Sequence, residues 1–334
     1  MNETTPLSLQ DAIQNYLTLV EQSRSKRTFL TYQNALKSFC ETLEAYQLNP
    51  QKTTAADLPE DAISWFAENL KIFAPATERL YLTAASNLYE YLSAENLSQP
   101  NLARVRQLIR QRSRRPGLRL PQFPASDIDQ LLEKIDQLKG KPCENVEEHL
   151  RNLRDRAFLL TLADTGLRVH EACALRRGDL DWTDYRAVVI GKGDQQAVVR
   201  FSERAMEALR DYLKARADLD GSTGRPLASL PLFTRHDKGA GKKKVKGMNT
   251  NTGRNIVTER VKEFLGADAA GTITPHSFRH YFVTRVLQAT NNLRIAQLLA
   301  RHKSIAVTQR YSHLTDSELD QGYWDAIGRK EKEN

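Results

Sequence analysis

The stretch His276-Ser-Phe-Arg279-His280 carries the strongest signal in this chain, together with Arg301-His302 and Gln309-Arg310-Tyr311 farther along. Imidazole, guanidinium and phenol groups recur here, and no carboxylate lies among them to bind a metal ion. Fixed cations suit a phosphodiester, because negative charge spreads over its oxygens in the transition state. A tyrosine hydroxyl is a nucleophile that can attack the phosphorus atom. The pattern therefore indicates phosphodiester cleavage through a covalent bond to the protein.

The residues around this stretch predict the start of a helix. Thr274 suits an N-cap, and Pro275 suits the first helical position because its missing N–H needs no partner there. His276, Arg279 and His280 then stand at positions i, i+3 and i+4, which share one helix face. Since the amino end of a helix is partly positive, these side chains would form a suitable clamp for a phosphate.

The chain upstream predicts helices and a small sheet. Residues 158–162 are an apolar run that predicts a buried helix ending near Gly166, and a second helix is expected over 168–175. Two short β-branched runs, 187–190 and 197–199, are joined by a turn that contains two glycines. This arrangement is typical of a β-hairpin.

Two further segments lie between the hairpin and the histidine-rich stretch. Residues 202–217 predict a helix, whereas residues 235–254 are rich in Lys, Gly, Asn and Thr and predict a mobile loop. Helices are expected again from there to the end. The fold class is therefore mainly α with a small β-sheet, an α+β arrangement.

The first hundred residues predict amphipathic helices. In the first of them, apolar side chains recur at helical spacing at Leu9, Ile13, Tyr16, Leu17 and Val20. Four such helices with short connections predict a small bundle. A segment with two prolines, one glycine and many arginines follows, and it predicts an extended linker. We therefore expect a helical domain over 1–109, a basic linker over 110–121 and a second domain over 122–334.

Positive charge is concentrated in two places. The chain of 334 residues has a net charge of +8, and seven arginines lie between residues 104 and 119 without one acidic residue. A second basic cluster lies between 235 and 246. Such concentration is typical of proteins that bind polyanions, although a solvated basic linker would look the same. The candidates for DNA contact are Arg110, Arg112, Arg114, Arg115, Arg119, Lys242, Lys243 and Lys244.

Composition excludes several classes of protein. The chain has no run of 18 apolar residues that could span a membrane, and no signal peptide is evident. A cytoplasmic protein is expected. The three cysteines, Cys40, Cys143 and Cys173, are too few and too scattered for a disulfide framework or a zinc knuckle. The histidines lack the spacing of a zinc site. We expect neither a metal nor another cofactor.

Five stretches resemble the motifs of the tyrosine recombinases, the phage integrase family. The matching stretches are Thr165-Gly-Leu-Arg-Val-His-Glu171, Gly191-Lys-Gly193, Thr274-Pro-His-Ser-Phe-Arg-His280, Arg301-His302 and Tyr311-Ser-His313. They occur in the family's order over residues 160 to 315, which resemble its catalytic domain. The helical first hundred residues are similar to its core-binding domain. The resemblance implies site-specific recombination of DNA.

The resemblance also implies how a strand would be cut. Arg168 and Arg279 would grip the scissile phosphate, and Tyr311 would attack it to form a 3′-phosphotyrosine. Because a tyrosine hydroxyl has a pKa of about 10 in water, it needs a cationic field or a base to attack at neutral pH. Lys192, on the predicted hairpin, matches the family's general acid for the departing 5′ hydroxyl.

Three further positions complete the site that the resemblance implies. His276 and His302 would hydrogen-bond the phosphoryl oxygens and assist proton transfer, and Glu171 matches a supporting acidic position. The chain departs from the family at one point. Arg301 stands immediately before His302, where the family usually has glycine.

The resemblance implies partners as well. Double-stranded DNA with specific recombination sites would be bound by a tetramer, and strands would be exchanged through a Holliday junction. An apolar face at Leu319, Tyr323, Trp324 and Ile327 predicts a helix after the nucleophile. That helix would fold back on its own domain or pass to a neighbouring protomer. Two other functions stay open: a type IB topoisomerase, which would act alone, and a DNA-binding protein without catalysis.

Overall fold

The computed structural model describes residues 7–114, 125–190, 196–236 and 245–302, together with Ile305 and Thr308. The chain divides into two compact units, Met1–Leu118 and Arg119–Asn334. No helix in these described ranges is both long enough and apolar enough to cross a membrane.

The described part of the first unit is a bundle of helices, as the apolar spacing predicts. Ser8 and Ser25 cap the first two helices by accepting hydrogen bonds from the backbone N–H groups of Asp11 and Thr28. The helices are α1 Leu9–Ser23, α2 Lys26–Ala45, α3 Ala62–Asn69, α4 Pro75–Ala94 and α5 Leu102–Arg112. The bundle thus contains one helix more than the four predicted, because α5 forms within the arginine-rich segment.

The core of this bundle contains the side chains that the helical spacing selects. All five apolar residues named for α1 are buried. Phe39 of α2 and Phe66 of α3 are fully buried and meet edge to face, with ring centroids 5.1 Å apart. Leu80 shares the helical spacing of Ala84 and Leu88 in α4, but it is 44% exposed, whereas Ala84 and Leu88 are buried.

The arginine-rich segment begins as a helix and then contacts the bundle. Arg110 and Arg112 lie in the exposed last turn of α5 rather than in an extended linker. Arg114 donates from its backbone N–H and from Nε to the carboxylate of Glu78, at 2.9 and 2.6 Å. Glu78 is fully buried and also accepts from Lys71 Nζ at 2.8 Å. This buried carboxylate therefore fixes the chain at the end of the first unit.

The described part of the second unit contains eight helices and a three-stranded antiparallel sheet in the order β1-β2-β3. The helices are α6 Ala125–Asp136, α7 Val146–Thr165, α8 Val169–Ala174, α9 Glu203–Ala215, α10 Ala217–Gly221, α11 Thr250–Leu265, α12 Pro275–Thr290 and α13 Leu293–Ala300. The strands are β1 Leu180–Asp181, β2 Arg186–Ile190 and β3 Gln196–Arg200. The mainly α fold with a small sheet is confirmed.

The predicted hairpin is confirmed by its register. Strands β2 and β3 pair from Arg186 opposite Arg200 to Ile190 opposite Gln196. Ala187 and Val189 point to the core of the unit, in keeping with the two-residue period of a strand. The turn between the strands, residues 191–195, lies outside the described residues, and so does Lys192.

Helix α7 is the buried centre of the second unit, and its end sets the position of the next helix. Gly166 caps α7 in the left-handed conformation, with φ +60°. A Cβ atom at this position would lie only 2.4 Å from Cδ1 of Phe282 in α12. Glycine is therefore required here for both its backbone and its size, and it lets the chain turn at once into α8.

The segment predicted as a mobile loop is shorter than the sequence suggests. Helix α11 begins at Thr250, because Asn249 accepts a hydrogen bond from the backbone N–H of Thr252 and caps it. The prediction of a loop over 235–254 is therefore wrong for its last five residues. Residues 237–244, which include the candidates Lys242, Lys243 and Lys244, lie outside the described part of the chain.

Candidate active site

Arg168 and Glu171 form the first part of the site, at the start of α8. The carboxylate of Glu171 accepts from the backbone N–H of Arg168 at 2.8 Å and from its Nη1 at 3.0 Å. Glu171 therefore caps the helix and orients the guanidinium with the same group. Its side chain is only 2% exposed, whereas that of Arg168 is 44% exposed. The buried Glu171 thus holds Arg168, whose exposed guanidinium is accessible to a ligand.

Helix α12 supplies the second part of the site from its first two turns. Its start is as predicted, with Thr274 as N-cap and Pro275 as the first residue. The rings of His276 and His280 contact each other, with centroids 4.3 Å apart and planes at 74°. Both rings thus share the helix face that the spacing predicts.

Arg279, on the same helix, is almost completely buried. Its Nη1 donates to the carbonyl oxygen of Gly166 at 2.5 Å, and its Nη2 donates to the carbonyl oxygen of Ala300. These oxygens belong to the ends of α7 and α13. A single guanidinium on α12 therefore ties together the ends of α7 and α13, and the carbonyl groups that face it help to stabilise the buried charge.

His302 completes the described part of the site, directly after α13. Its Nδ1 lies 2.9 Å from Oγ1 of the buried Thr308. Its backbone N–H donates to the carbonyl oxygen of Gln297 at 3.0 Å, and the Gln297 side chain donates back to the carbonyl oxygen of His302 at 3.1 Å. Hydrogen bonds to the ring and to the backbone of His302 therefore fix the position of the imidazole.

The three imidazoles have lowered pKa values. Burial, followed by the positive charges of Arg279 and Arg168, lowers the pKa of His276 and brings that of His302 to about 4. Burial and the neighbouring His276 and Arg279 lower the pKa of His280 to about 4. Neutral imidazoles can both donate and accept, which suits the proton transfers that a phosphodiester requires. The shared electrostatics also show that these side chains lie in one positive field.

Arg301 is a member of the site whose contacts the sequence does not predict. It caps α13 in the left-handed conformation, with φ 57°, and its Nη2 donates to Oε2 of Glu171 at 2.9 Å. Burial alone would raise the pKa of Glu171. The hydrogen bond from Arg168 and the charges of Arg301 and Arg168 outweigh burial, so that the pKa is lower than usual. A non-glycine residue at a usual glycine position was the only sequence signal for this contact.

The structure brings five of the predicted catalytic residues together: Arg168, Glu171, His276, Arg279 and His302. The other two, Lys192 and Tyr311, lie outside the described residues. Of the predicted DNA contacts in the first basic cluster, Arg110 and Arg112 are exposed and Arg114 is bound by Glu78. Arg115 and Arg119 also lie outside the described residues. In the ranges that are described, no group of three His, Cys, Asp or Glu side chains is placed to hold a metal ion.

Comparison with known proteins identifies related chains along the whole length. Residues 124–318 match the model of the phage integrase family. Tyrosine recombinase XerC of Treponema denticola is 29% identical over 327 residues, covering 94% of this chain and 98% of the relative. Tyrosine recombinase XerC of Vibrio parahaemolyticus is 28% identical over 338 residues, covering 100% of this chain and 98% of the relative.

Solved structures have the same fold. The Tn1549 transposon integrase in complex with transposon right end DNA has a TM-score of 0.66 and 16% identity, over 97% of this chain and 100% of that one. The XerH site-specific recombinase bound to its difH substrate has a TM-score of 0.65 and 18% identity. That match covers 93% of this chain and 83% of the recombinase.

Proposed function

The chain belongs to the phage integrase family and is a tyrosine-type site-specific DNA recombinase, and on that premise we propose how it cuts and rejoins DNA. Each strand is broken by Tyr311, whose hydroxyl gives its proton to a neutral imidazole of the site as its oxygen attacks the scissile phosphorus. A 3′-phosphotyrosine bond forms, the bond to the 5′ oxygen breaks, and the 5′ hydroxyl departs with a proton from Lys192. Attack by the 5′ hydroxyl of a partner strand reverses these steps and releases Tyr311.

The proposal is carried by the convergence of Arg168, Arg279, His276 and His302 in one positive site. A phosphoryl transition state spreads negative charge over its non-bridging oxygens, and a guanidinium can bond two of them at once. Because the imidazoles are neutral at pH 7, each has a proton to donate or a lone pair to accept one. The energy of the broken phosphodiester is retained in the phosphotyrosine bond, so that rejoining needs no nucleotide cofactor.

The proposed partner is double-stranded DNA that carries specific recombination sites. The proposed roles are DNA binding for the helical domain 1–109, connection and backbone contact for the basic linker 110–121, and catalysis for 122–334. The exposed Arg110 and Arg112 at the end of α5 support contact with phosphates. The relatives that span the whole chain are named recombinases, which does not favour the topoisomerase interpretation.

Recombination of two sites requires several protomers, and we propose a tetramer that exchanges strands through a Holliday junction. The predicted helix with Leu319 and Trp324 would dock on a neighbouring protomer. In the second unit, a cleft between α6 and α12 offers partly exposed apolar side chains to it, among them Phe282 and Val286. The proposed place of action is the cytoplasm, on nucleoid DNA.

A covalent-trapping experiment tests the reaction. A nicked duplex that carries the recombination site loses a short strand after cleavage, so that the protein–DNA adduct accumulates and can be seen on a denaturing gel. Tyr311→Phe should bind the same duplex and form no adduct, because only one oxygen atom is removed. A normal adduct with this variant would assign the nucleophile to another residue.

A further inference from the structure

Arg301 has a left-handed backbone conformation, which is unfavourable for residues other than glycine. It ends α13 at φ 57° and ψ 43°, and its backbone N–H donates to the carbonyl oxygen of Leu298 at 3.1 Å. A residue with a Cβ atom is disfavoured in this left-handed region, whereas glycine adopts it freely. The glycine that is usual in the family thus suits the backbone better. Any advantage of arginine must therefore come from its side chain.

The side chain of Arg301 binds the residue that holds Arg168. Arg301 Nη2 donates to Oε2 of Glu171 at 2.9 Å, and the same oxygen accepts from the backbone N–H of Arg168 at 2.8 Å. The other oxygen of Glu171 accepts from Arg168 Nη1 at 3.0 Å. Two guanidiniums therefore share one carboxylate, and Arg301 is the deeper of the two, at 13% exposure against 44%.

This sharing changes the charge that the site presents to a phosphate. With glycine at position 301, the charges of Arg168 and Glu171 would cancel. With Arg301, two cations face one carboxylate, and the three groups together carry a net charge of +1. Because Glu171 is almost completely buried, its charge is poorly screened by water and would otherwise weaken the attraction of Arg168 for a phosphate.

The neighbours of Arg301 in the chain are tied to the same site. The carbonyl oxygen of Ala300 accepts from Arg279, and the imidazole of His302 shares the field of Arg168 and Arg279. A shift of the backbone at residue 301 would therefore move the contacts of two catalytic groups, Arg279 and His302. The bond between Arg301 and Glu171 restrains this backbone from the side of α8.

We propose that Arg301 is a positioning residue for strand cleavage, which holds Glu171 against Arg168 and offsets the carboxylate's charge, so that Glu171 does not weaken the attraction of Arg168 for the scissile phosphate. This inference rests on the proposed function. It assigns to this chain a second cation behind the phosphate-binding arginine, at a position where glycine is usual.

Three variants separate charge, length and backbone. Arg301→Met removes the charge and keeps most of the length, and it should lower the rate of adduct formation on saturating nicked duplex by roughly tenfold to a hundredfold. Arg301→Lys should recover a large part of that loss, because an ammonium group can still pair with Glu171. Arg301→Gly should be folded, since glycine fits the left-handed backbone, and yet cleave as slowly as Arg301→Met.

The control is Asn291→Gly. Asn291 ends α12 in the same left-handed conformation, with φ 47°, and its side chain is exposed. Glycine at position 291 removes the unfavourable left-handed conformation of a side-chain-bearing residue from a helix end, and it leaves the charges of the site unchanged. Its adduct should form at the wild-type rate. A loss equal to that of Arg301→Gly would attribute the effect to the backbone and overturn the inference.

Two readouts distinguish positioning from a purely structural role. Without Arg301, only Arg168 opposes the effect of burial on Glu171, so the pKa of Glu171 should rise. The acid limb, which is the fall in cleavage rate towards low pH, should then move to higher pH. The limb should stay in place with Arg301→Lys. In a Glu171→Gln background, Arg301→Met should cost little more, because the carboxylate that it offsets is gone.

The inference is wrong if Arg301→Met cleaves at the wild-type rate or if its acid limb stays at the wild-type pH. It is also wrong if Arg301→Met lowers the cleavage rate by the same factor in the Glu171→Gln background as in the wild type. Failure of the proposed function gives a different result, because wild-type protein would then form no adduct at all, or one that survives Tyr311→Phe. That result would remove the inference together with its premise.

Discussion

The guanidinium of Arg279 donates to the carbonyl oxygen of Gly166 at 2.5 Å, although 113 positions separate the two residues in the chain. Gly166 ends the central helix α7 in a left-handed turn, and Arg168 follows two residues later. The same bond therefore fixes the distance between the two arginines that are proposed to grip the phosphate. The geometry of the site depends on the end of one buried helix.

Substitution of Gly166 tests this dependence. Gly166→Ala introduces a Cβ atom at φ +60° and 2.4 Å from the ring of Phe282, and it should lower the free energy of unfolding by about 3 kcal/mol. Urea denaturation measures the change. Gly140→Ala is the control, because an added Cβ meets no atom within 4 Å there, and it should change stability by less than about 0.5 kcal/mol. Equal stabilities would show that the turn tolerates a side chain.

Replacement of the buried arginine tests the phosphate clamp. Arg279→Lys keeps the positive charge but cannot donate to the carbonyl oxygens of Gly166 and Ala300 and to a phosphate at once. The rate of adduct formation should fall by about a hundredfold or more, while affinity for the duplex changes little. Single-turnover cleavage and a binding titration measure the two effects separately. A proportional loss of both would point to a role in DNA binding.

The lowered histidine pKa values predict how stability depends on pH. The pKa of His302 is about 4 in the folded chain, against 6.5 as its ordinary value, so between these pH values the unfolded chain binds more protons. Stability should therefore fall as the pH falls from 6.5 towards 4. His302→Gln does not titrate and should lose less stability than wild type between pH 7 and pH 5, as measured by urea denaturation at each pH. Parallel losses would contradict the lowered pKa.

Neutralising the exposed arginines of α5 tests contact with the DNA backbone. Arg110→Gln and Arg112→Gln together should weaken binding to all sequences, and the slope of log affinity against log salt should decrease by about 2. Arg114→Gln is the comparison, because its guanidinium is paired with the buried Glu78 and its loss should lower the stability of the first unit instead. Loss of binding to one target sequence only would contradict backbone contact at Arg110 and Arg112.

A modified substrate tests the proposed general acid. Lys192→Ala should slow cleavage of ordinary DNA by roughly a hundredfold, because the 5′ oxygen must then leave without a proton. A 5′-thio leaving group needs no proton, so the variant should cleave that substrate at nearly the wild-type rate. If sulfur gives no rescue, Lys192 has another role.

Much of the fold and of the site follows from local sequence. The spacing of apolar side chains predicts α1 and its buried face, and Thr274 with Pro275 predicts the first turn of α12. The β-branched runs predict the hairpin and its two strands. These features depend on residues only a few positions apart, and a chain satisfies them wherever the segment lies in the fold.

Other features were missed where composition or helical period was the only guide. The start of α11 at Thr250 was missed because a composition rich in glycine and lysine masked the cap at Asn249. The helical turn at Arg110 was missed for the same reason, since many arginines and two nearby prolines suggested an extended chain. The exposed Leu80 shows that a helical period alone does not decide which apolar residue reaches the core.

The sequence by itself determined the chemistry of the site: arginines, histidines and a tyrosine in the order and spacing of one family of enzymes. Only the tertiary structure decided which charged groups pair with each other. Arg301 reaches Glu171 across 130 positions, because a left-handed helix end turns its side chain towards α8. Electrostatic pairing depends on distance in space and on burial, and neither quantity can be computed from spacing along the chain.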